Sequence, residues 1–310
     1  MKGGSYMALL HFLEDLRFPV MDEIMLFITT FGEETVFLVV AMIVFWCMDK
    51  HRGYYLLTVG FLGMVANQFL KLVCRVPRPW VQDPSFTILE QAREAASGYS
   101  FPSGHTQSAV GTFGAVARTE KNKGIQIACI FIAVLVPFSR MYIGVHTPQD
   151  VLVAAAIALI LVFVLEPLIL KRFDKVMPWA LVCMLAVAIG YTCFVEFAPF
   201  PADIDLHNLE SGRTSAYTLL GSLIGLTIVY IVDEKWQNFN VKAVWWAQIL
   251  KVALGLGIVL LVKSGTKEVL NALLGEYVGR AVRYCLVVLT AGIVWPQSFR
   301  WFSKLGNKVR

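Results

Sequence analysis

Long apolar stretches recur along this chain of 310 residues, and no other feature of the sequence constrains its fold as strongly. Residues 151–170, VLVAAAIALILVFVLEPLIL, contain a single charged side chain and are long enough to cross a bilayer as a helix, which takes about 20 residues. Backbone groups in lipid must pair within the protein, so only helices or closed barrels can span it. Because 57% of the residues are hydrophobic and 16% are charged, the chain is predicted to be an all-α, polytopic membrane protein.

The apolar stretches predict a bundle of about nine transmembrane helices. They cover residues 31–48, 53–74, 103–118, 124–143, 148–170, 177–198, 214–232, 243–263 and 280–297. Residues 5–30 are interrupted by charged side chains and by Pro19, and they predict two short helices at the membrane interface. An alternative is that one of these two helices inserts into the membrane.

The connections between the apolar stretches alternate in charge. Every second connection is mostly basic, namely MDKHRGYY, ARTEKNKG, KRFDK, DEKWQNFNVK and the tail SFRWFSKLGNKVR. By the positive-inside rule these connections face the cytoplasm, and the other set, including residues 75–102 and 144–147, faces outward. The net charge of +5 is divided among these short clusters, as membrane topology requires, so nucleic acid is not a predicted partner.

Three polar stretches lie on the predicted outer face, at the ends of apolar segments. They are KLVCRVPRP (residues 71–79), PSGH (102–105) and SRMYIGVHTPQD (139–150). The candidate site residues that they contribute are Lys71, Arg78, Ser103, Gly104, His105, Arg140, His146 and Asp150. The outward side, where the positive-inside rule disfavours positive charge, holds Lys71, Arg75, Arg78 and Arg93, which indicates that these charges are needed there.

The cations among these residues suit a tetrahedral oxyanion. Lys71, Arg78 and Arg140, with a serine hydroxyl and a glycine amide, form a cage in which arginine can hold two oxygens at once. A proline precedes Ser103 and Gly104 where a helix is predicted to begin, so backbone amides and the positive end of the helix dipole point at the anion. The predicted ligand is therefore phosphate, bound by these five residues.

The two histidines and the aspartate supply the predicted chemistry. Asp150 lies four residues after His146, at the start of a helix capped by Thr147, so its carboxylate can fix the tautomer of the imidazole. The other ring nitrogen is then free to attack phosphorus, which makes His146 the predicted nucleophile. His105, on a different helix, is predicted to protonate the departing oxygen. The outward residues offer no cluster of acidic or cysteine ligands, so no metal site is predicted.

These residues resemble, without substitution, the three motifs of the type 2 phosphatidic acid phosphatase superfamily, K-x6-RP, PSGH and SR-x5-H-x3-D. The resemblance covers about residues 20–172 and implies a metal-independent phosphatase that acts through a phosphohistidine and uses no cofactor. It also implies an active site on the extracytoplasmic side of the plasma membrane, as in bacterial members of the family. The superfamily includes soluble vanadium haloperoxidases, whose setting is not an apolar polytopic chain.

A lipid phosphatase with three parts is therefore predicted. Interfacial helices occupy residues 1–30, a phosphatase core of the six-helix type occupies 31–172, and an extension of about four transmembrane helices occupies 173–310. Candidate substrates are polyprenyl diphosphate, phosphatidic acid, phosphatidylglycerol phosphate and sphingoid-base phosphates, among which the phosphate cage does not choose. Two alternatives stay open: a phosphotransferase that passes phosphate to another lipid, and a transporter with a coupled or vestigial phosphatase core.

Overall fold

Helices account for the regular structure of residues 4–93, 96 and 98–305, which are the residues that the computed structural model describes. Within that part of the chain, seven helices are long and apolar enough to cross a membrane, or eight when one bent pair counts as a span. The prediction of a polytopic helical bundle is confirmed. Parts of three predictions lie outside the described residues: residues 1–3 of the N-terminal part, residues 94, 95 and 97 of the predicted outward loop, and residues 306–310 of the basic tail.

The helices follow one another with short connections. The first eight are α1 (Gly4–Asp15), α2 (Pro19–Thr30), α3 (Glu34–Ile43), α4 (Lys50–Cys74), α5 (Pro79–Gln82), α6 (Gly104–Thr119), α7 (Lys123–Tyr142) and α8 (Pro148–Lys171). The remaining six are α9 (Phe173–Phe197), α10 (Leu206–Val232), α11 (Trp245–Gly265), α12 (Lys267–Leu274), α13 (Glu276–Leu289) and α14 (Phe299–Phe302). Single π-helical turns extend α3, α10 and α13, at Val44–Met48, Asp233–Gln237 and Thr290–Val294.

The predicted spans and the observed helices differ at two places. The segment predicted over residues 103–118 forms α6, whose 16 residues are about 24 Å long, shorter than the hydrocarbon layer. Two short helices form within residues 5–30, as predicted, and the second of them, α2, joins α3 at a bend of 52°. The two helices α2 and α3 together are long and apolar enough to span a membrane, but the span is broken at the bend between them.

The outer surface of the long helices is apolar. In α7 and α8, fewer than a third of the residues in the most apolar window are buried within the protein. Large apolar side chains such as Ile127, Phe131 and Leu152 are exposed instead. An apolar exterior of this extent is unusual for a water-soluble protein and typical of a surface covered by lipid.

One compact unit comprises Met1–Leu38, Leu56–Lys171 and Phe200–Gly212. Its centre is α6, which packs against α7 and α8 and buries Ala109, Val110 and Phe113. Because protein surrounds α6, this helix does not need the length or the apolar composition of a helix that faces lipid. A helix inside the protein can carry glycines and polar residues, as α6 does.

A second compact unit comprises Val39–Tyr55, Arg172–Pro199 and Arg213–Arg310. Its helices approach closely at small residues, since a Cβ at Gly221 of α10 would stand only 2.0 Å from the carbonyl oxygen of Ala281 in α13. The ammonium group of Lys251, a fully buried residue, donates to the carbonyl oxygens of Trp46 at 2.8 Å and Val241 at 3.0 Å. These carbonyls satisfy a buried cation that would otherwise be costly.

Candidate active site

A cavity of about 210 Å³ lies in the first unit, among α3, α4, α6 and the last turn of α7. Six of the eight predicted site residues line it: Lys71, Arg78, Gly104, His105, Arg140 and His146. The remaining two, Ser103 and Asp150, are buried beside these residues. The three motifs, which span almost 80 residues of sequence from Lys71 to Asp150, therefore converge on one cavity.

Backbone carbonyl groups hold the first two cations. Lys71 lies in the last turn of α4, and its ammonium group donates to the carbonyl oxygen of Tyr99. Arg78, directly before α5, donates from Nε to the carbonyl oxygen of Gly98 at 3.1 Å and from Nη1 to that of Val145 at 3.0 Å. Carbonyl dipoles orient these side chains without cancelling their charge, so the charge stays available to an anion.

Arg140 is the third cation of the cavity. It lies in the last turn of α7 and is 1% exposed. Its Nη1 donates to the hydroxyl of Thr29 in α2 at 2.8 Å, whereas its Nε has no partner among the described residues. Three buried cations around one cavity carry a large desolvation cost, which a bound anion would offset.

The PSGH motif begins α6 at the edge of the cavity. The hydroxyl of Ser103 accepts a hydrogen bond from the backbone N–H of Thr106 at 3.4 Å and so caps the helix. The backbone N–H of Ser103 donates to the carbonyl oxygen of Asp150 at 3.1 Å, which ties this cap to α8. Gly104 is the first residue of α6 and lines the cavity, so the positive end of the helix faces it.

The two nitrogens of His146 face different partners. Nε2 is 3.0 Å from Nη1 of Arg78 and so points to the cations, while Nδ1 is 3.4 Å from Oδ2 of Asp150. The same carboxylate oxygen accepts from the hydroxyl of Ser100 at 2.6 Å and from the backbone N–H of Thr147 at 2.8 Å. Asp150 is thus fixed beside Nδ1, and Nε2, which accepts a hydrogen bond from Arg78, is the nitrogen on the side of the cations.

Electrostatics keep His146 in its neutral form. Burial lowers the pKa of His146 well below its ordinary value of 6.5, and the positive charges of Arg78, Arg140 and Lys71 lower this pKa further. A neutral imidazole retains the lone pair that a nucleophile needs, so the surroundings favour the reactive form at neutral pH.

His105 enters the same cavity from the first turn of α6. The bend between α2 and α3 lies against it, since a Cβ at Gly32 would stand 2.8 Å from both the Cβ and the carbonyl oxygen of His105. Glycine at position 32 is therefore required for this close approach. The two histidines reach the cavity from separate segments, as the sequence predicted.

Several polar residues at the site were not predicted from the sequence. Ser100, which holds Asp150, comes three residues before Ser103, and its hydroxyl beside the motif was the available signal. Gln107 and Ser108 also line the cavity, and their spacing of three and four residues from Gly104 places them on the same face of α6. Within the described residues, no three histidine, cysteine, aspartate or glutamate side chains cluster in a way that would hold a metal ion.

Helices of spanning length and a buried cationic cavity define an integral membrane protein with an anion site. Residues 52–174 match the PAP2 superfamily, and residues 217–308 match the transmembrane extension of PAP2 superfamily phosphatases. The chain belongs to the PAP2 superfamily and is a phosphatase of its membrane branch. The second match also accounts for much of the C-terminal region, in which no motif was recognised from the sequence.

Curated relatives align with about half to two thirds of this chain. The chain is 32% identical over 146 residues to undecaprenyl-diphosphatase BcrC of Bacillus subtilis, an alignment that covers 46% of this chain and 72% of the relative. It is 29% identical over 171 residues to phosphatidylglycerophosphatase B of the same organism, covering 52% and 78% of the two chains. A probable sphingosine-1-phosphate phosphatase of Dictyostelium discoideum is 27% identical over 216 residues, covering 63% and 50%. No solved structure matches the chain significantly.

Proposed function

We propose that this protein hydrolyses the phosphate monoester or diphosphate headgroup of a lipid through a phosphohistidine at His146. The observation that carries the proposal is the placement of Nε2 of His146, 3.0 Å from Arg78 in a cavity that Lys71 and Arg140 also line. An uncharged nucleophile among three cations is suited to a substrate that brings negative charge on the atom to be attacked.

The cations and the start of α6 form the proposed phosphate cage. Lys71, Arg78 and Arg140 neutralise the phosphate oxygens, and the unpartnered Nε of Arg140 supplies a donor that no described residue uses. Gly104 admits the anion to the helix N-terminus because it has no side chain. Ser103 contributes by capping α6 and so by holding these amides in place.

The first chemical step transfers the phosphoryl group to the enzyme. The lone pair on Nε2 of His146 attacks phosphorus, and the bond between phosphorus and the leaving oxygen breaks with its electron pair on that oxygen. His105, whose charged form is favoured by the negative charge of the bound phosphate, donates a proton to the leaving oxygen. Asp150 lies beside Nδ1 and stabilises the positive charge that the ring acquires.

The second step returns the histidine to its starting state. Water attacks the phosphohistidine and loses a proton to His105, which gave up its proton in the first step. The bond between phosphorus and Nε2 breaks, its electron pair returns to the ring, and inorganic phosphate leaves the cage. The cycle needs water as the only co-reactant, and we propose that it proceeds without a metal ion.

The names of the relatives indicate the substrate class. They comprise an undecaprenyl-diphosphatase, a phosphatidylglycerophosphatase and a probable sphingosine-1-phosphate phosphatase. We propose a lipid phosphate or diphosphate for this chain. We propose residues 31–172 as the catalytic part, after interfacial helices in 1–30 and before an extension in 173–310. The compact units divide the chain differently, because Val39–Tyr55 belongs to the second unit and Phe200–Gly212 to the first.

Purified protein in detergent should release inorganic phosphate from lipid phosphates in the presence of excess EDTA. The measurement is phosphate release from phosphatidic acid, phosphatidylglycerol phosphate, sphingosine 1-phosphate and undecaprenyl diphosphate, each with and without chelator. Vanadate should inhibit, because it resembles phosphate in shape and charge and would occupy the cage. Activity that disappears in EDTA and returns with Mg²⁺ would contradict the mechanism, and release from none of the four lipids would contradict the function.

The active site is proposed to face the outside of a bacterial plasma membrane. A cysteine at position 90, in the exposed loop between α5 and α6, should react with an impermeant thiol reagent in intact cells. A cysteine at position 121, in the exposed turn between α6 and α7, should react only after the membrane is permeabilised. Glu90→Cys and Lys121→Cys are compared in a variant without native cysteines. The reverse labelling pattern would place the site in the cytoplasm.

A further inference from the structure

The cavity continues beyond the phosphate cage along α4 and α6. The α4 residues that line it are Gly60, Met64, Asn67, Gln68 and Lys71, which repeat at the spacing of one helix face. Asn67 thus lies one helical turn, about 5.4 Å, from Lys71 on the side away from the end of α4. A leaving group that extends from the cage along α4 would lie against this position.

Contacts between the two helices fix the order of the lining. A Cβ at Gly104 would stand 3.6 Å from Oδ1 of Asn67, a Cβ at Gly63 would stand 2.5 Å from Nε2 of Gln107, and a Cβ at Gly111 would stand 3.4 Å from Val59. The helices are therefore antiparallel. Along α4 and α6, Lys71 and His105 come first, the polar side chains of Asn67, Gln107 and Ser108 come next, and Met64 with the glycines at positions 60 and 111 follows. Glu34 and Gln68 also line the cavity.

Asn67, which lines the cavity, carries a buried hydrogen-bond acceptor without a partner in the described residues. Its Nδ2 donates to the carbonyl oxygen of Pro102 at 3.2 Å, so the amide orientation is set, because only the NH₂ group can donate to a carbonyl. Its Oδ1 is buried and has no partner within the described residues, in a side chain that is 3% exposed overall. A buried acceptor without a donor is costly, which indicates that a ligand supplies one.

Two residues of α6 that also line the cavity carry further polar atoms without partners in the described residues. Gln107 is 4% exposed, lines the cavity, and has no partner for Oε1 in the described part of the chain. Ser108, next to it on α6, likewise has an unpartnered hydroxyl. An amide and a hydroxyl can each accept a hydrogen bond, so both can share a donor with Asn67.

We propose that Asn67, Gln107 and Ser108 form a subsite that accepts a hydrogen bond from the leaving group. The donor lies on the carbon next to the ester carbon or on the carbon after that. The donor is a hydroxyl or an ammonium group. This inference rests on the proposed phosphatase function and narrows it, because phosphatidylglycerol phosphate and sphingoid-base phosphates carry such a donor, whereas phosphatidic acid, whose glycerol hydroxyls are acylated, and polyprenyl phosphates carry none. Specificity here would come from the cost of leaving buried acceptors unpaired.

Four synthetic probes with chains of similar length test the subsite in the wild-type enzyme. 1-O-Hexadecylglycerol 3-phosphate has a free 2-hydroxyl, its 2-O-methyl ether lacks that donor, sphinganine 1-phosphate has an ammonium and a hydroxyl, and hexadecyl phosphate has neither. We expect kcat/KM for the free hydroxyl to exceed that for the methyl ether by about tenfold or more. Comparison of the glycerol and sphinganine probes shows whether an ammonium group is accepted at the position where the glycerol probe carries its 2-hydroxyl.

Substitutions then locate the preference in the protein. Asn67→Leu and Gln107→Met remove the polar groups at similar volume, and each should reduce the ratio of kcat/KM between the free hydroxyl and its methyl ether toward one. The matched control is Thr112→Val on α6, since Thr112 is buried, its hydroxyl has no partner in the described residues, and it does not line the cavity. This control should keep the wild-type ratio.

The outcomes separate the subsite from the phosphatase function. If the wild-type enzyme hydrolyses all four probes with equal kcat/KM, the subsite is wrong and the phosphatase function stands. If it hydrolyses none of them, nor any lipid phosphate tested above, both are wrong. A preference for the hydroxyl that survives unchanged in Asn67→Leu and in Gln107→Met would place the recognition elsewhere and overturn the proposal. Gel filtration of each variant verifies that a lost preference for the free hydroxyl does not reflect misfolding.

Discussion

His146→Ala is expected to be inactive on every phosphate substrate, whatever its leaving group. Nε2 of His146 is the nitrogen that points to the cations of the cavity, and without it no covalent intermediate can form. Loss of a nucleophile typically lowers kcat by about six powers of ten, which brings turnover to the background of most assays. The measurement is kcat on a lipid monophosphate, a lipid diphosphate and 4-nitrophenyl phosphate.

The matched control for this prediction is His51→Ala. His51 is exposed and stacks on Phe173 with ring centroids 3.8 Å apart, in the second unit, so its loss should leave turnover unchanged. Rapid quenching with ³²P-labelled substrate should also trap a phosphoprotein that survives alkali and is lost in acid, the behaviour of a phosphoramidate. A His146→Ala enzyme that still hydrolyses the aryl phosphate would overturn the nucleophile assignment.

The helical architecture could be predicted because lipid imposes a simple rule on sequence. A helix that faces lipid must be apolar along its length, as α7 and α8 are, so hydropathy alone located most of the spans. The rule does not apply to α6, which protein surrounds, and this helix ends after 16 residues. It also does not predict the bend between α2 and α3, which depends on how Gly32 packs against His105.

The charged residues of the site could be predicted for a different reason. A cation such as Arg140 at the end of an apolar stretch is costly, so its presence there indicates a function even without a structure. Uncharged polar residues carry no such signal, because a membrane helix often uses them to bind a neighbouring helix. Asn67 has both features, since its Nδ2 donates to the carbonyl oxygen of Pro102 and its Oδ1 has no partner in the described residues beside the cavity.

Contacts between segments that are distant in sequence could not be predicted. Ser100 donates to Asp150, 50 residues away, and Arg140 donates to Thr29, 111 residues away. Neither contact follows from helix period or charge, because each depends on how folded segments pack. These contacts hold the reactive groups of the motifs, so the positioning of the site is a property of the whole first unit.

His105→Ala is expected to slow hydrolysis in proportion to how poor the leaving group is. A lipid alkoxide must be protonated as it departs, whereas 4-nitrophenolate leaves readily without a proton. On a lipid monophosphate the loss of His105 should therefore lower kcat by roughly two to four powers of ten, the usual range for general acid catalysis. On the aryl phosphate the loss should be much smaller, and a lipid diphosphate should fall between the two because its leaving phosphate is less basic than an alkoxide.

The ratio of wild-type to His105→Ala rates on these three substrates, at saturating concentration in detergent, distinguishes two roles for the imidazole. His105 lines the same cavity as Lys71 and Arg140, so it is also placed to bind the phosphate. A phosphate ligand affects all three substrates alike, because each brings the same phosphoryl group into the cage, whereas a proton donor affects only those whose leaving oxygen needs the proton. Equal ratios on the three substrates would therefore remove the acid role from His105 and leave it as a ligand of the phosphate.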